Sequence, residues 1–502
     1  MEYIVVQAGG KGERLGYLTR NKPKALVPVE NLPMLFHLFH KYPSKRFIVI
    51  ADYKKDVLRE YLSAFAKVKY QIIEAKGTGT CSGIEQAMAY LPDNVPFMLV
   101  WSDLILPKGL QLPEEYESGN EEVKKDYIGI SKTFPCRWSY CDDCFMEKSS
   151  SDQGVAGFFL FSEKRKLENI PESGEFVRWL QQSGKRFEEI SLVGTREFGL
   201  LQEYKKLKQE KCRPFNRITV AGNTLIKEPV DRQGEALATR ECRWYEKAKE
   251  LNINAIPYIY STYPLKMEYI GGKNIYECQI SYEEKRRILK KLIDALQQLH
   301  NSECVPADTF SMKEAYFNKT MERLKRIEYL VPFAREKEIR INGKVCRNVF
   351  FYRQELEKRI EEITCEKFHF IHGDCTFSNL MLREDGNPVL IDPRGYFGFT
   401  ELYGDVRYDW AKLYYSIVGN YDRFNLKDFR LEIGECEISL EIASNHWEDM
   451  EEEFFVLTGA KEEEIKLLHA VIWLSLTTYA WQDYDSICAA FYNGLYYLEN
   501  IL

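Results

Sequence analysis

The 502-residue sequence lacks features that would place it in several large classes of protein. It has no uninterrupted apolar run approaching the roughly 20 residues that a membrane helix requires. It opens directly with an apolar strand pattern, so we expect no signal peptide. A net charge of −7 argues against a general nucleic-acid binder. We therefore expect a cytoplasmic protein that inserts into no membrane and binds no nucleic acid.

The cysteines also lack the pattern of a disulfide framework. There are 13 of them, scattered and often within apolar runs, which suits a reducing compartment. The tightest group is Cys136, Cys141 and Cys144. Three sulfurs without a clear fourth ligand favour free thiols, with a zinc site as the alternative.

What is present is the composition of a globular protein with more than one domain. Apolar residues make up 45% of the chain and charged residues 29%. The length allows two to four domains, each able to bury a core of its own.

The stretch around Asp374 carries the most chemistry. An apolar run predicts a short strand, and Gly373 allows a sharp turn after it. Asp374 and Asn379 have the spacing at which a kinase catalytic loop offers a base to a hydroxyl and an amide oxygen to Mg²⁺. A second apolar run ends at Asp392, where a kinase places its other metal-binding carboxylate. A strand–turn–strand with incidental acids is the alternative.

This stretch resembles the aminoglycoside phosphotransferase/choline kinase family. The resemblance implies a bilobal, protein-kinase-like α+β phosphotransferase domain, with an N-lobe over residues 209–270 and a C-lobe over 271–502. Asp374 would be the catalytic base, and Asn379 with Asp392 would hold Mg²⁺.

A hairpin pattern precedes this stretch. Its turn at Gly222 could cover the phosphates of ATP, and Lys227 stands at the strand position of the kinase lysine. Glu241, on the helix that follows, is our choice for the ion-pair partner of Lys227. Glu235 and Glu246 remain open, because spacing alone does not decide.

Three further segments of this half carry expectations. The stretch 264–270, with Gly271 and Gly272, resembles a kinase hinge, in which Glu268 and Tyr269 would pair with adenine; a plain strand-to-loop junction is the alternative. Asp405 is expected to cap a helix and brace the catalytic loop, and His300 to end a helix without chemical duty.

The aromatic residues after Val471 are expected to pack helices. The alternative is an aromatic wall for the acceptor, with Asp483 or Asp485 near a cation.

The first half opens with a glycine-rich loop. Directly after the strand pattern of residues 3–6 come Gly9, Gly10, Lys11, Gly12 and Arg14. Amides in such a loop can approach a triphosphate, and the two basic residues supply charge. The loop is neither the dinucleotide fingerprint nor a P-loop with its Gly-Lys-Ser/Thr ending.

Together with the stretch 19–29, this loop closely resembles the sugar-phosphate nucleotidyltransferase family, which includes phosphocholine cytidylyltransferases. The likeness continues through Gly77-Thr-Gly-Thr80, Trp101-Ser-Asp103 and Glu147-Lys148. It implies a Rossmann-like (GT-A-like) α/β domain over residues 1–208 that joins an NTP to a phosphorylated substrate.

The resemblance also implies roles for single residues. The loop from Gly9 to Arg14 would hold the triphosphate, with Gly77 and Thr78 also contacting the nucleotide. Lys24 would lie at the α-phosphate, and Asp103 would bind Mg²⁺. Lys148 would face the substrate phosphate. Cations are needed because an anionic phosphate must attack an anionic phosphorus.

One departure from the family stands out. A second metal carboxylate usually lies in an Asp-x-Gly-Thr segment, and the sequence has Val193 there. Glu197 or Asp142 could serve instead, one carboxylate could suffice, or the domain could be catalytically reduced.

Together the halves predict a bifunctional enzyme: ATP phosphorylates an alcohol or sugar hydroxyl, and an NTP converts the product to a nucleotide-activated donor for surface glycan synthesis. The alternative is a kinase with a nucleotide-binding but inactive first domain. Choline-like amino alcohols and sugars fit equally well as acceptors, the choice among CTP, UTP, GTP and dTTP is open, and so is the oligomeric state. The charged stretch 203–214 predicts a linker, and each half is expected to fold alone.

Overall fold

The computed structural model describes residues 1–117, 123, 125–207, 216–230, 232–271 and 274–501. The chain divides into two compact units. The first comprises Met1–Glu210 with Trp481–Asp485, and the second comprises Lys211–Ala480 with Ser486–Leu502. The predicted boundary at 208 and most of the predicted linker lie outside the described residues, and the prediction did not include 481–485 in the first unit. None of the helices described here is long and apolar enough to cross a membrane.

The first unit alternates strands and helices. Its strands are β1 (Tyr3–Gln7), β2 (Pro28–Val29), β3 (Leu32–Pro33), β4 (Arg46–Ala51), β5 (Lys69–Glu74), β6 (Phe97–Trp101), β7 (Leu104–Ile105), β8 (Tyr127–Ser131), β9 (Ser139–Cys141), β10 (Cys144–Met146), β11 (Gly154–Phe161), β12 (Glu188–Ser191) and β13 (Arg196–Glu197). Its helices are α1 (Met34–Lys41), α2 (Lys55–Phe65), α3 (Ile84–Met88), α4 (Glu114–Glu117), α5 (Phe176–Ser183) and α6 (Leu201–Lys205).

A mixed sheet forms the centre of this unit. Its strand order is β10-β9-β11-β6-β1-β4-β5, with β8 paired to β11 and β12 to β8. The strands from β6 to β5 run parallel, and β11 is antiparallel to β6. The Ile-Val-Val run of β1 is fully buried, as a central parallel strand covered on both faces requires. The predicted Rossmann-like fold is confirmed.

The remaining strands and helices follow residue 215. The strands are β14 (Asn216–Ala221), β15 (Thr224–Pro229), β16 (Ile259–Thr262), β17 (Leu265–Glu268), β18 (Cys304–Pro306), β19 (Glu338–Ile341), β20 (Lys344–Arg347), β21 (Lys367–Phe370), β22 (Leu380–Leu382), β23 (Pro388–Leu390), β24 (Tyr396–Phe397), β25 (Thr400–Glu401), β26 (Tyr403–Gly404), β27 (Phe429–Ile433) and β28 (Ile438–Ile442). The helices are α7 (Arg232–Glu250), α8 (Tyr282–Ser302), α9 (Thr309–Lys313), α10 (Lys319–Ile327), α11 (Arg353–Glu361), α12 (Val406–Ile417), α13 (Tyr421–Asn425), α14 (Glu451–Thr458), α15 (Glu462–Leu476) and α16 (Tyr484–Leu498).

The second unit has a sheet-rich part and a helix-rich part. An antiparallel sheet of order β14-β15-β17-β16 packs against α7. In the helical part α12 packs against α15, and α8 packs against β21. Ser281 caps α8: its hydroxyl accepts the N–H of Glu284 and so satisfies a donor of the first turn. This is the predicted kinase-like α+β architecture.

Candidate active sites

The glycine-rich loop follows β1 and packs closely on its surroundings. A Cβ added to Gly9 would lie 2.7 Å from the Cβ of Asp52, and one added to Gly12 would lie 3.0 Å from the Cβ of Lys24. Gly12 also has a φ of +67°, where side chains are strained. The loop therefore lies directly beside Lys24, while Lys11 is exposed.

Lys24 and Asp103 form an ion pair. Asp103 lies in the turn directly after β6, and only 13% of its side chain is exposed, against 11% for Lys24. Two residues that are 79 positions apart thus meet at the carboxyl end of the parallel strands. That edge is the usual ligand site of such sheets.

A second carboxylate joins this pair through β13. Strand β13 is antiparallel to β7, and Glu197 lies opposite Leu104, the neighbour of Asp103. Burial and the charge of Asp103 raise the pKa of Glu197, and Lys24 and Arg14 oppose that rise. Of the two acids considered from the sequence, Glu197 is therefore the one beside Asp103. Asp142 lies in the exposed turn between β9 and β10, against the thiol of Cys141.

The Asp-x-Gly-Thr position needs a correction of register. In this four-residue pattern Leu192, not Val193, occupies the place of the aspartate. Leu192 is fully buried, whereas 64% of Val193 is exposed. An apolar core residue stands in place of the carboxylate, and the next acid after it along the chain is Glu197.

The catalytic loop of the second unit leaves β21 at Gly373, which has a φ of +80°. The side-chain amide of Asn379 donates to the carboxylate and the carbonyl of Asp374, both at 3.0 Å. The N–H of Ile391 donates to the carbonyl of Asn379 at 3.0 Å, which holds Asp392 next to them. The predicted triplet Asp374, Asn379 and Asp392 is assembled at one place.

Lys227 completes this group. Its ammonium is buried and forms ion pairs with Glu241 and with Asp392. Of the three glutamates left open by the spacing, the structure pairs Glu241 with the lysine. The second ion pair, between Lys227 and Asp392, connects the sheet-rich part of the unit to the aspartate that follows β23.

Asp409, rather than Asp405, braces the catalytic loop. The carboxylate of Asp409 accepts the backbone N–H groups of His372 at 2.9 Å and Gly373 at 2.7 Å. It also lies 2.9 Å from Nε2 of His300. Asp405 caps α12 as predicted, by accepting the N–H of Arg407 at 3.1 Å.

His300 lies in the last turn of α8, as expected, and it is buried against the acid that orients the loop, so it has a structural contact that the sequence did not indicate. Its lack of a chemical role stays a prediction. The missed signal was Asp409 itself. An acid on the apolar face of a helix needs buried donors.

Family models match both halves of the chain. The model of the MobA-like NTP transferase domain matches residues 4–113, and that of the phosphotransferase enzyme family matches residues 238–430. The chain joins a nucleotidyltransferase domain to a phosphotransferase domain. Both domains belong to transferase families.

Three relatives are similar to the nucleotidyltransferase domain. The bifunctional protein GlmU of Methanocaldococcus jannaschii is 30% identical over 24% of this chain and 30% of its own length. A probable glucose-1-phosphate cytidylyltransferase of Bacillus subtilis is 24% identical over 34% of this chain and 78% of its own. The crystal structure of HddC from Yersinia pseudotuberculosis is 21% identical over 41% of this chain and 97% of its own, with a TM-score of 0.35. The chain thus spans about 30% of the length of the first curated relative.

Gly77, Thr78 and Lys148 were also predicted to contact the nucleotide or the substrate of the nucleotidyltransferase domain. The N–H groups of Gly77 and Thr78 donate to the hydroxyls of Ser82 and Ser173, at 2.9 and 3.0 Å. They are therefore not free to hold a nucleotide through those donors. Lys148 is exposed and has no ion-pair partner among the described residues. The nucleotide and substrate roles of these residues stay predictions.

In the predicted hinge of the phosphotransferase domain, two backbone N–H groups are likewise already hydrogen-bonded within the protein. The N–H of Glu268 donates to the carbonyl of Tyr258, and that of Tyr269 to the carbonyl of Asn223, both at 2.8 Å. The carboxylate of Glu268 is paired with Arg383. Adenine would have to use the carbonyl oxygens or later amides of this segment, and Gly272 lies outside the described residues. Gly222, in the turn between β14 and β15, has open space around it.

The carboxyl-terminal aromatic residues mainly pack the core, as predicted. Trp473, Tyr484 and Tyr492 are fully buried. Asp483 and Asp485 belong to the first unit, where both bind Lys22, at 2.9 and 2.6 Å. The alternative of an acceptor cation beside these acids is therefore wrong, because a lysine of the chain already holds them.

The three clustered cysteines lie in two different places: Cys136 is buried, whereas Cys141 and Cys144 lie on the β9–β10 hairpin. Cys136 is buried in a bridge with Ser150, and burial and nearby Glu197 raise the pKa of its thiol to about 12. Cys141 and Cys144 face each other across β9 and β10. Within the described ranges no group of three or more His, Cys, Asp or Glu residues could hold a metal ion.

Proposed function

We propose that this chain phosphorylates a hydroxyl with ATP in its phosphotransferase domain and then joins the phosphorylated product to an NTP in its nucleotidyltransferase domain. The observation that carries the first step is the contact network of Asp374 with Asn379 and of Lys227 with Asp392. Support also comes from the match of residues 238–430, which include Asp374, Asn379 and Asp392, to the phosphotransferase family.

In the first reaction the acceptor oxygen forms a bond to the γ-phosphorus of ATP, and the bond from that phosphorus to the bridging oxygen breaks, releasing ADP. Asp374 orients the hydroxyl and takes its proton. Lys227 holds the ATP phosphates. The donor set of Asn379 Oδ1 and the Asp392 carboxylate fits Mg²⁺, which prefers few protein oxygens plus phosphates. When bound, Mg²⁺ supplies neutralisation of the developing negative charge.

In the second reaction a phosphate oxygen of the product attacks the α-phosphorus of an NTP, and pyrophosphate leaves. Lys24, beside the glycine loop, neutralises the α-phosphate region. Asp103 and Glu197 fit a divalent cation, because two carboxylates placed side by side repel each other until a cation joins them. When bound, Mg²⁺ supplies the alignment of the triphosphate.

The two reactions follow each other chemically. A kinase makes a phosphate monoester, and a nucleotidyltransferase consumes one. We therefore propose that the product is a nucleotide-activated donor for surface glycan synthesis in the cytoplasm, where ATP and other NTPs are available. Support comes from curated relatives whose names describe them as acting on sugar 1-phosphates.

The second candidate function is a kinase with a nucleotide-binding but inactive first domain. The buried Leu192 in place of the usual aspartate favours it. Under this alternative the glycine loop and Lys24 would hold a nucleotide without transfer.

The test incubates the full chain with Mg²⁺, ATP and a panel of alcohols, amino alcohols and sugars, and measures ADP. Each phosphorylated product is then supplied with CTP, UTP, GTP or dTTP while pyrophosphate is measured. The bifunctional proposal expects ADP with at least one acceptor and pyrophosphate with at least one NTP. ADP without pyrophosphate under any condition would establish the second candidate instead.

A further inference from the structure

A cluster of basic side chains lies beside Asp374 in the phosphotransferase domain. It was not recognised in the sequence, because its members come from separate elements. They are Arg240 of α7, Lys319 and Arg323 of α10, Arg394 after β23, and Lys412 of α12. All five are partly buried.

Contacts connect this basic cluster to the catalytic base. The ammonium of Lys412 lies 3.0 Å from the carboxylate of Asp374. It also lies 6.0 Å from the ring centre of Tyr408. Arg394 donates to the hydroxyl of Tyr408 at 2.6 Å and to that of Tyr396 at 2.8 Å.

The far side of the cluster gathers around Tyr396. The ammonium of Lys319 donates to the Tyr396 hydroxyl at 3.4 Å and lies 5.3 Å from its ring centre. The guanidinium of Arg240 lies 4.8 Å from the same ring centre. Arg323, one helical turn after Lys319, donates to the hydroxyl of Ser475 at 2.9 Å.

The cluster carries an excess of positive charge. Within the part of the chain that the structure describes, Lys319, Arg323 and Arg394 form no ion pair with a carboxylate, and Asp374 faces Lys412. Burial and the neighbouring Arg394 lower the pKa of Lys319 to about 8. Burial alone would raise the pKa of Tyr396, but Arg394 and Lys319 outweigh it and lower that pKa to about 7.

Such an arrangement is costly without a ligand. The acidic groups that face these partly buried cations are one carboxylate, Asp374, and the phenols of Tyr396 and Tyr408, so five cations still lose hydration and repel one another. A group with two or three anionic oxygens would relieve both costs, and a guanidinium can bind it through two parallel hydrogen bonds.

We propose that the acceptor of the phosphotransferase domain carries a phosphate or carboxylate group in addition to its hydroxyl, and that Lys319, Arg323 and Arg394 bind this group. The proposal rests on the proposed kinase function. It selects an anionic sugar or hydroxy acid over choline and other amino alcohols, since a cationic head group would be repelled by the cluster.

The first experiment measures binding to the full chain by calorimetry, without catalysis. The probes are inorganic phosphate, glycerol 3-phosphate and glycerate. We expect Lys319→Met and Arg323→Met to weaken binding of at least one probe by about tenfold or more, while Lys319→Arg preserves it. Lys325→Met is the matched control, because Lys325 is exposed on the same helix. Thermal melts confirm that each variant is folded. Equal binding of every probe by wild type, Lys319→Met and Arg323→Met would overturn the proposal, as would the absence of binding to wild type.

The second experiment measures ADP release with glycerol, choline, glycerol 3-phosphate and glycerate. The proposal expects an anionic acceptor to be preferred, and its KM to rise in Arg323→Met with KM for ATP unchanged. A preference for choline or glycerol, with no effect of Arg323→Met, refutes the anion site but leaves the kinase function intact. Lost probe binding in the variants, combined with no ADP from any acceptor, keeps the anion site and refutes the kinase function.

Discussion

In both domains a lysine meets an aspartate that follows a strand, but the other groups of the two sites come from different distances along the chain. In the phosphotransferase domain Asp374, Asn379 and Asp392 lie within one strand–turn–strand segment. In the nucleotidyltransferase domain Lys24, Asp103 and Glu197 come from three separate elements. The phosphotransferase site can therefore be predicted from the spacing of its residues in the sequence. The nucleotidyltransferase site depends on which strands pair in the folded domain.

The difference has a physical basis. The loop between β21 and β22 is short and has strands at both ends, so it has few conformations, and the five-residue spacing of Asp374 and Asn379 nearly determines that their side chains meet. The position of Glu197 depends instead on the pairing of β13 with β7, about 90 residues away, which no local pattern encodes. The following predictions test this comparison, from the largest expected effect to the smallest.

Asp374→Asn should have the largest effect. It preserves the shape of the loop but removes the proposed base, so we expect phosphotransferase activity to fall by about 10² to 10⁴-fold. Nucleotidyl transfer from a supplied phosphorylated substrate should be unchanged. Parallel assays of ADP and pyrophosphate release test this, and simultaneous loss of both in a folded variant would show that the sites are not separate.

Asp409→Asn should affect the loop through its backbone. The amide can accept one of the N–H groups of His372 and Gly373 but loses the charge that holds both, so we expect kcat for phosphorylation to fall by about 10 to 100-fold. The free energy of unfolding should fall by about 1.5–3 kcal/mol. Urea denaturation and kinetics measure the two effects. Unchanged kcat with lowered stability would reduce Asp409 to a purely structural role.

Glu197→Gln tests the second carboxylate of the nucleotidyltransferase domain. We expect nucleotidyl transfer to fall by about tenfold or more, with a higher Mg²⁺ concentration needed for half-maximal rate. Asp142→Asn is the matched control and should leave both quantities unchanged. The reverse pattern would place the metal at the β9–β10 turn.

The pH dependence of acceptor binding should show the smallest effect. Lys319, with a pKa of about 8, is charged below that pH and loses its charge above it. The KM for an anionic acceptor should therefore rise by up to about tenfold between pH 7 and pH 9. The groups that face Lys319 are Arg323, Arg394 and Tyr396, so Tyr396→Phe is needed to separate the titration of that phenol. Lys319→Arg should flatten the rise. A rise of the same size in Lys319→Arg would assign the titration to another group.

Much of both folds and the loop with Asp374 and Asn379 could be predicted from short-range patterns. The glycine loop after β1, the strand before Gly373 and the helix cap at Asp405 each depend on a few neighbouring residues. Asp409, an acid on an apolar helix face, indicated that buried donors exist, but the sequence did not identify them, because His300 and the catalytic loop meet Asp409 only in the folded helical part. The basic cluster was missed for the same reason. Each of its cations looks like an ordinary surface residue within its own segment of the sequence.

Residues Trp481–Asp485 belong to the nucleotidyltransferase unit, so recombination could not transfer this unit as one continuous segment of the gene. Only 2% of the Lys22 side chain is exposed between Asp483 and Asp485, and Trp481 stacks on Phe65. A recombination event that cut the gene near codon 210 would deliver a first domain whose buried lysine had lost both carboxylates. Removing such partners typically costs about 3–5 kcal/mol. The first domain therefore could not be exchanged as residues 1–210 alone, because residues that it needs for stability lie near the carboxyl end of the chain.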